Sequence, residues 1–309
     1  MITIVCALRD ITKENTVISN IGENKCSQII FVEGKNPSYQ RNAGVKEATG
    51  DIIYFVDDDS VLPAGILQKA ESYFDVNPSA AVLGGPELSP KTDSVLQKSF
   101  GAVFSSVFAA GKSSLRYRQF GAVRESDEKE IILSNMFVRK SIFEELQGFN
   151  EKLYPNEENE FLSRVIEHGY KITHDPNLFI YRSKRNDFAG FIKQCFNYGR
   201  GRTEQSFINF SLSGLINYVP AFFVIYLLTG LLLGGMGLFP LIIYIVLNAI
   251  FSALIGIKTG QAKDGLLAFV NFFLLHIAYG TGTLYGFITS ATLKDRQTDM
   301  NIQMKKTVL

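Results

Sequence analysis

Three adjacent carboxylates, Asp57, Asp58 and Asp59, are the residues of this chain best suited to chemistry. They directly follow Ile52–Val56, a short apolar run whose composition predicts a strand buried on both faces. Neighbouring negative charges repel one another, and a hard divalent cation with oxygen ligands relieves that repulsion and attracts phosphates. Because ligands of open α/β sheets bind at the carboxyl ends of strands, this position favours a cation and phosphate site. A solvated acidic turn is the alternative.

A second acidic cluster, Glu157, Glu158 and Glu160, begins a predicted helix that continues through His168 and ends at Gly169. Acidic side chains in a first helical turn complement the helix dipole. The cluster therefore has a structural explanation that is independent of any chemistry, and its composition alone leaves both explanations open.

The elements that position these clusters alternate between strands and helices. Apolar runs at 2–8, 28–33 and 80–84 predict further strands, and the segments between them predict helices. This alternation indicates an α/β domain with a parallel, Rossmann-like sheet. The dinucleotide-binding pattern GxGxxG does not follow the first strand, so the sequence does not favour a dinucleotide cofactor.

Charge is distributed very unevenly along the 309 residues, although the formal net charge is only +1. No charged residue occurs at 205–257 or at 265–293. Within these stretches, the segments 215–233, 238–257 and 266–288 each approach the ~20 residues that cross a bilayer. The balanced charge excludes a nucleic-acid partner attracted by bulk charge. The three cysteines lack CxxC spacing and indicate neither a zinc site nor a disulfide framework, which favours a reducing, cytoplasmic setting.

We therefore predict an α/β domain over 1–210, a membrane domain of about three transmembrane helices over 211–293 and a polar tail over 294–309. No signal peptide is predicted at the N-terminus. Lys258 and Lys263 would face the same side as the first domain under the positive-inside tendency, whereas three full crossings would put Lys305 and Lys306 on the other side. Either the third segment does not cross completely, or the tail is an exception.

The order of these stretches resembles a known family. RNAGVKEATGDIIYFVDDD, GGP, NEENEFLSRVIEHGYKI and QCFNYGRGR follow the first strand in that order, and HIAYGTG lies in the third apolar segment. The pattern is similar to family 2 glycosyltransferases of the GT-A fold, of the membrane-bound type that builds exopolysaccharides (succinoglycan-synthesis type). The resemblance implies a GT-A (Rossmann-like) nucleotide-sugar domain followed by C-terminal transmembrane helices. It also implies a multi-pass protein of the inner membrane with a cytoplasmic catalytic domain.

The resemblance assigns the cation and the base to particular residues. Asp59 matches the last residue of the family's DxD motif and is expected to be the main ligand of Mn²⁺ or Mg²⁺. Asp57 is expected to assist at the metal or hold the ribose, and Asp58 to contact the substrate. Glu158 matches the Asp of the family's ED motif, one methylene longer, and is the expected base for the acceptor hydroxyl, with Glu157 orienting it or the acceptor.

Contacts to the donor are also implied by the resemblance. Glu33 stands where the family often has an Asp that reads the nucleobase, with uridine favoured. Arg41 and Asn42 match the family's RN pair, and Gln194, Arg200 and Arg202 occupy the region of its QxxRW-like motif. Anchoring at lipid headgroups is an equal explanation for the last two arginines.

The leading hypothesis is an inverting, metal-dependent glycosyltransferase that moves a sugar from a nucleotide sugar, with UDP favoured, to a hydroxyl of a lipid-linked glycan. A polyprenyl-phosphate monosaccharide synthase is a second hypothesis, distinguished by its acceptor. A non-catalytic nucleotide-binding membrane subunit is a third, against which the intact acidic motifs argue. Assembly as a homo-oligomer or within a polysaccharide synthesis complex is compatible with each of them.

Overall fold

The computed structural model describes residues 1–22, 24–230 and 237–307, which divide into two compact units. Unit 1 comprises Met1–Pro90, Leu115–Ser183 and Asp295–Leu309, and unit 2 comprises Lys91–Ser114 and Lys184–Lys294. The chain thus leaves unit 1 after Pro90 and again after Ser183, and it returns at Leu115 and at Asp295; the predicted domain bounds at 210 and 293 stay predictions.

Unit 1 contains the strands β1 (Ile2–Leu8), β2 (Gln28–Glu33), β3 (Ile52–Val56), β4 (Ser60–Val61), β5 (Ala80–Gly84), β6 (Glu87–Leu88), β7 (Arg124–Ser126), β8 (Asn135–Arg139), β9 (Lys171–His174), β10 (Ile180–Arg182) and β11 (Gln303–Thr307). They form an eight-stranded sheet with the order β11-β2-β1-β3-β8-β5-β9-β7 and a three-stranded sheet with the order β4-β10-β6. The helices of unit 1 are α1 (Glu14–Ile21), α2 (Pro37–Lys46), α3 (Ile66–Val76), α6 (Lys140–Glu145) and α7 (Glu157–Glu167). Those of unit 2 are α4 (Val95–Phe104), α5 (Val107–Ala110), α8 (Phe188–Ser206), α9 (Val219–Thr229), α10 (Phe239–Thr259) and α11 (Ala262–Ser290).

The large sheet, predicted to be parallel and Rossmann-like, is mixed: it contains antiparallel as well as parallel strand pairs. Strands β2, β1 and β3 are parallel neighbours, as are β5 and β9. Strand β8 is inserted antiparallel between β3 and β5, and β7 and β11 are antiparallel strands at the two edges. Local apolar patterning predicts that a segment is a strand but contains little information on its direction, which depends on the path of the connections.

The central strands are buried on both faces, as their continuous apolar runs predict. Successive side chains of a strand point to opposite faces, so Tyr54 and Phe55 belong to two separate cores. Tyr54 stacks on Phe137 of β8 with 3.8 Å between ring centroids, and α3 covers the same face. Phe55 packs on the other face, which α2, α6 and α7 cover. This packing fixes where β3 ends and the three aspartates begin.

Among the residues of unit 2 that the structure describes, two helices are long and apolar enough to cross a membrane, α10 with 21 residues and α11 with 29. They lie side by side and antiparallel, with Asn248 Nδ2 donating to the Phe269 carbonyl at 3.0 Å. The first apolar segment, predicted to span 215–233, contains the shorter helix α9, and its last residues lie outside the described ones. The tight turn predicted at 235–237 falls mostly outside them too.

The predicted polar tail contains β11, which pairs antiparallel with β2 in the register Gln303↔Glu33 to Thr307↔Ile29. Ile302 and Met304 pack against the core on that side of the sheet. The tail is therefore an edge strand of unit 1.

Candidate active site

Arg41 brings together residues from three distant parts of unit 1. Its Nη2 donates to Asp57 Oδ1 at 3.0 Å, and its Nη1 donates to Glu157 Oε1 at 2.9 Å. Asp57 follows β3, Arg41 lies on α2 and Glu157 is the first residue of α7. The side chains of Arg41 and Glu157 are 7% and 2% exposed, whereas Asp57 is 23% exposed. The guanidinium group thus joins the two acidic motifs that the sequence singles out.

A second arginine, Arg182, binds the other side of the aspartate run. Its Nε lies 2.5 Å from Asp59 Oδ1, and its Nη1 lies 3.2 Å from Asp57 Oδ2 and 3.3 Å from Glu87 Oε2. Strand pairing explains the contact, because β10 runs antiparallel to β4 with Arg182 opposite Ser60, the residue after Asp59. Two guanidinium groups, those of Arg41 and Arg182, thus contact four carboxylates, those of Asp57, Asp59, Glu87 and Glu157. We call these six side chains the Arg41 row.

Glu158 points to a different partner from Glu157. Its Oε1 accepts from Asn159 Nδ2 at 3.0 Å and lies 3.5 Å from Arg116 Nη1. Arg116 also donates to Asn159 Oδ1 and to the backbone carbonyl of Lys129, which holds the guanidinium in place. The carboxylate of Glu158 is therefore oriented by its own neighbours and is separate from the Arg41 row.

Burial alters the acid strength of two carboxyl groups at the site. Burial raises the pKa of Glu157 from 4.5 to about 8; the attraction of Arg41 opposes this rise, and the neighbouring Glu158 adds to it. Asp59 is 48% exposed, and partial desolvation by the surrounding protein raises its pKa, an effect that Arg182 opposes. In both groups the attraction of the guanidinium offsets only part of the cost of removing the charged carboxylate from water.

The donor chemistry of this row fits a divalent cation. Mg²⁺ is typically held by one or two carboxylates together with substrate phosphates and water, a set that Asp57 and Asp59 could begin. No group of three or more His, Cys, Asp or Glu side chains arranged for a metal occurs in the described residues. A cation on Asp57 and Asp59 would compete with Arg182, which contacts both aspartates.

Three other predicted donor-binding residues have mainly structural contacts. Asn42 Nδ2 donates to the Phe149 carbonyl at 2.9 Å and to Glu151 Oε1 at 3.0 Å, which braces the loop before α7. Glu33 Oε2 accepts from the backbone N–H of Ile11 at 3.2 Å. Asp58 lies 3.5 Å from Lys13 Nζ near the surface. Donor binding by these residues stays a prediction.

The last three predicted residues lie on α8 in unit 2. Gln194 Nε2 donates to the Tyr198 hydroxyl at 2.7 Å, and Arg202 Nη1 donates to Gln205 Oε1 at 3.1 Å. Arg200 Nε lies 3.7 Å from Glu204 Oε1. Their predicted role at the diphosphate also stays a prediction.

Sequence reasoning missed Arg182, Glu87 and Arg116. Arg182 and Glu87 lie on strands of only three and two residues, too short to produce a hydrophobic period. Arg116 lies in a basic, polar stretch that resembles a loop. Because each partner is distant in the sequence, no local spacing rule could have identified these contacts.

Comparisons with known proteins show which folds and sequences this chain is similar to. The mannosyltransferase PcManGT from Pyrobaculum calidifontis, solved in complex with GDP-Man and Mn²⁺, shares the fold with a TM-score of 0.58 at 12% identity, over 93% of this chain and 86% of its own. The O-antigen chain rhamnosyltransferase RfbN of Salmonella typhimurium is 28% identical over 43% of this chain and 42% of its own length. The pre-mycofactocin glycosyltransferase of Mycobacterium tuberculosis is 22% identical over 53% of this chain and 34% of its own. The chain thus spans less than half the length of these two relatives.

A family model described as glycosyl transferase family group 2 matches residues 52–257, more than half of the chain. The matched range begins at β3 and includes the three aspartates, Glu157, Glu158 and Arg182. The chain has the mixed α/β fold of glycosyltransferases. Two helices toward its C-terminus, α10 and α11, could span a membrane. This chain therefore belongs to glycosyl transferase family group 2.

Proposed function

We propose that this enzyme transfers a sugar, with inversion at the anomeric carbon, from a nucleoside-diphosphate sugar to a hydroxyl of a lipid-linked glycan in polysaccharide or glycoconjugate synthesis. The observation that carries the proposal is the row of charged groups from Asp59 through Arg182, Asp57 and Arg41 to Glu157, with Glu158 next to it. Paired arginines and carboxylates at a strand end suit the binding of a diphosphate. The oriented carboxylate of Glu158 beside them suits a general base.

Glu158 is the proposed base. The acceptor oxygen attacks the anomeric carbon while the bond from that carbon to the diphosphate oxygen breaks and its electron pair leaves with the diphosphate. The hydroxyl proton passes to the Glu158 carboxylate, which Asn159 holds at 3.0 Å. Glu157 is a positioning residue, because it is buried and bound to Arg41.

Asp59, assisted by Asp57, would hold a Mn²⁺ or Mg²⁺ ion, which when bound offsets the charge that develops on the diphosphate. The Mn²⁺ in the mannosyltransferase of the same fold supports this choice of cofactor. The proposed donor nucleoside is uridine, whose nucleobase Glu33 would contact. Guanosine is the alternative nucleoside that a donor test must include.

The membrane part of the proposal rests on unit 2 and on the tail. Because β11 belongs to the sheet of unit 1, residues 303–307 must lie on the same side of any membrane as the rest of unit 1. The segment 184–294, which leaves unit 1 and returns to it, must then cross the membrane an even number of times. The antiparallel α10 and α11 enter the membrane together. Helix α9, with 11 residues, reaches only ~16 Å, about half of a bilayer core. Unit 1 is proposed to be cytoplasmic, at the inner membrane.

The test is transfer from a panel of radiolabelled UDP- and GDP-sugars to lipid-linked glycans, in wild type, Glu158→Gln and Glu160→Gln. We expect Glu158→Gln to lose ~10²–10⁴-fold in turnover while nucleotide binding persists. Glu160 is the matched control, since it is a buried carboxylate of the same helix paired with Arg164 at 2.7 Å. Normal turnover by Glu158→Gln would reject the base. Transfer to polyprenyl phosphate alone would reject the hydroxyl acceptor, and a lack of both binding and transfer would reject catalysis.

A further inference from the structure

Arg182 occupies the coordination space of the two aspartates that the proposed function gives to the cation. Its guanidinium group contacts Asp59 Oδ1 at 2.5 Å and Asp57 Oδ2 at 3.2 Å. A divalent ion bound to those same oxygens would lie close to the guanidinium in this position, and the repulsion between the two cations disfavours their binding together.

The two ends of this contact differ in exposure. Asp59 is 48% exposed and Asp57 23%, so solvent and ligand can reach the aspartate end. Glu87 is only 4% exposed and accepts from Ser134 Oγ at 2.7 Å, so the glutamate end is fixed. Ion pairs at exposed positions are weak, and this favours release of the guanidinium from Asp59 before release from Glu87.

A guanidinium group binds phosphate oxygens in a bidentate manner and is always charged. When it leaves the aspartates, a diphosphate close to them offers an equivalent anionic partner. The exchange frees the aspartate oxygens for a cation that itself needs phosphate ligands.

We propose that Arg182 is the resident counterion of the Asp57–Asp59 pair, and that a nucleoside diphosphate displaces it so that metal binding becomes conditional on the nucleotide. This inference rests on the proposed function for the identity of the nucleotide. It makes Arg182 a positioning residue that couples two ligands, and such coupling is reciprocal: the metal must strengthen nucleotide binding by the same factor.

The experiment measures Mn²⁺ affinity of the detergent-solubilised full chain by the free-Mn²⁺ EPR signal, with and without UDP or GDP, after subtraction of the Mn²⁺ that the same nucleotide binds without protein. In wild type we expect affinity without nucleotide to be weak and to increase at least about fivefold with it. Arg182→Gln should bind Mn²⁺ about fivefold or more tightly than wild type in the absence of nucleotide, and the increase that nucleotide causes should be smaller than in wild type by the same factor. The matched control is Arg124→Gln, which removes an arginine paired with the equally buried Glu130 and should match wild type.

Equal Mn²⁺ affinity with and without nucleotide in wild type would overturn the proposal, as would weaker metal binding by Arg182→Gln. Arg182→Gln removes the arginine that Glu87 contacts, which could prevent folding. In that case the double variant Arg182→Gln/Glu87→Gln, which removes both charges, must show the same increase in Mn²⁺ affinity without nucleotide. The nucleotide-free comparison needs no donor and no turnover. A failure of the proposed function, seen as absent nucleotide binding and transfer, is therefore distinguishable from a failure of the counterion role.

Discussion

Replacing Arg41 by methionine tests the link between the two acidic motifs. Methionine approximates the length of the arginine stem but removes both hydrogen bonds, to Asp57 at 3.0 Å and to Glu157 at 2.9 Å. Asp57 keeps Arg182 at 3.2 Å and is partly exposed, so little of the cost arises there. Glu157 is 2% exposed, and most of the loss comes from its end. A hydrogen bond to a charged partner contributes ~1.5–3 kcal/mol, which we expect as the loss in free energy of unfolding at pH 7.

The loss should grow with pH, and its size follows from the pKa of Glu157. The folded pKa, about 8, lies above the unfolded value of 4.5, so wild-type stability falls as pH rises from about 4.5 to 8 and then levels off. Without Arg41 the folded pKa moves higher, and the decline continues past pH 8. One pH unit above the wild-type pKa corresponds to ~1.4 kcal/mol, so the cost of Arg41→Met should be about that much larger at pH 9 than at pH 7.

The chain lacks tryptophan but has two buried cysteines in unit 1, Cys6 and Cys26. In a Cys195→Ser background, a thiol-reactive fluorophore therefore reports thermal unfolding of unit 1. For a domain of 150–250 residues, ~1.5–3 kcal/mol lowers the Tm by roughly 3–12 °C. The control is Arg41→Met in a Glu157→Gln background, where the pH-dependent part must vanish. A loss of equal size at pH 7 and pH 9, or one that persists unchanged in that background, would refute the reasoning.

Three further outcomes are expected. Glu157→Gln alone should flatten the fall in Tm between pH 5 and 8, because it removes the group whose folded pKa is raised; an unchanged slope contradicts the assignment. Gly199→Ala should destabilise unit 2 by ~1–3 kcal/mol, because the added Cβ would lie 2.0 Å from the Tyr279 carbonyl oxygen between α8 and α11. Thiol labelling of Cys195 during thermal unfolding measures this loss. The control is Gly214→Ala, whose added Cβ would have its nearest contact at 3.9 Å. Cysteines introduced at the exposed Val76 and Gln303 should react with an impermeant maleimide from the same side of a sealed membrane, and labelling from opposite sides excludes the even number of crossings.

The strand before the aspartates and the helix after Tyr154 could be predicted from the sequence because both depend on local patterning. Five consecutive apolar residues indicate a buried strand wherever it pairs, and acidic residues followed by a helical period indicate a helix start. The uncharged stretches indicated apolar helices for the same reason, since membrane-spanning potential depends on composition over ~20 residues. The family resemblance rested on the order of these local patterns.

Tertiary structure alone decided which charges meet. Arg182 reaches Asp59 because β10 pairs with β4, and Arg41 reaches Glu157 because α2 and α7 cover the same face of the sheet. Neither contact has a sequence signature, as the partners are more than a hundred positions apart. The direction of β8 and the pairing of β11 with β2 were likewise invisible, because strand direction and edge pairing depend on how distant segments pack and not on their own residues. The local pattern therefore determined the acidic motifs, and the long-range pairing determined their counterions.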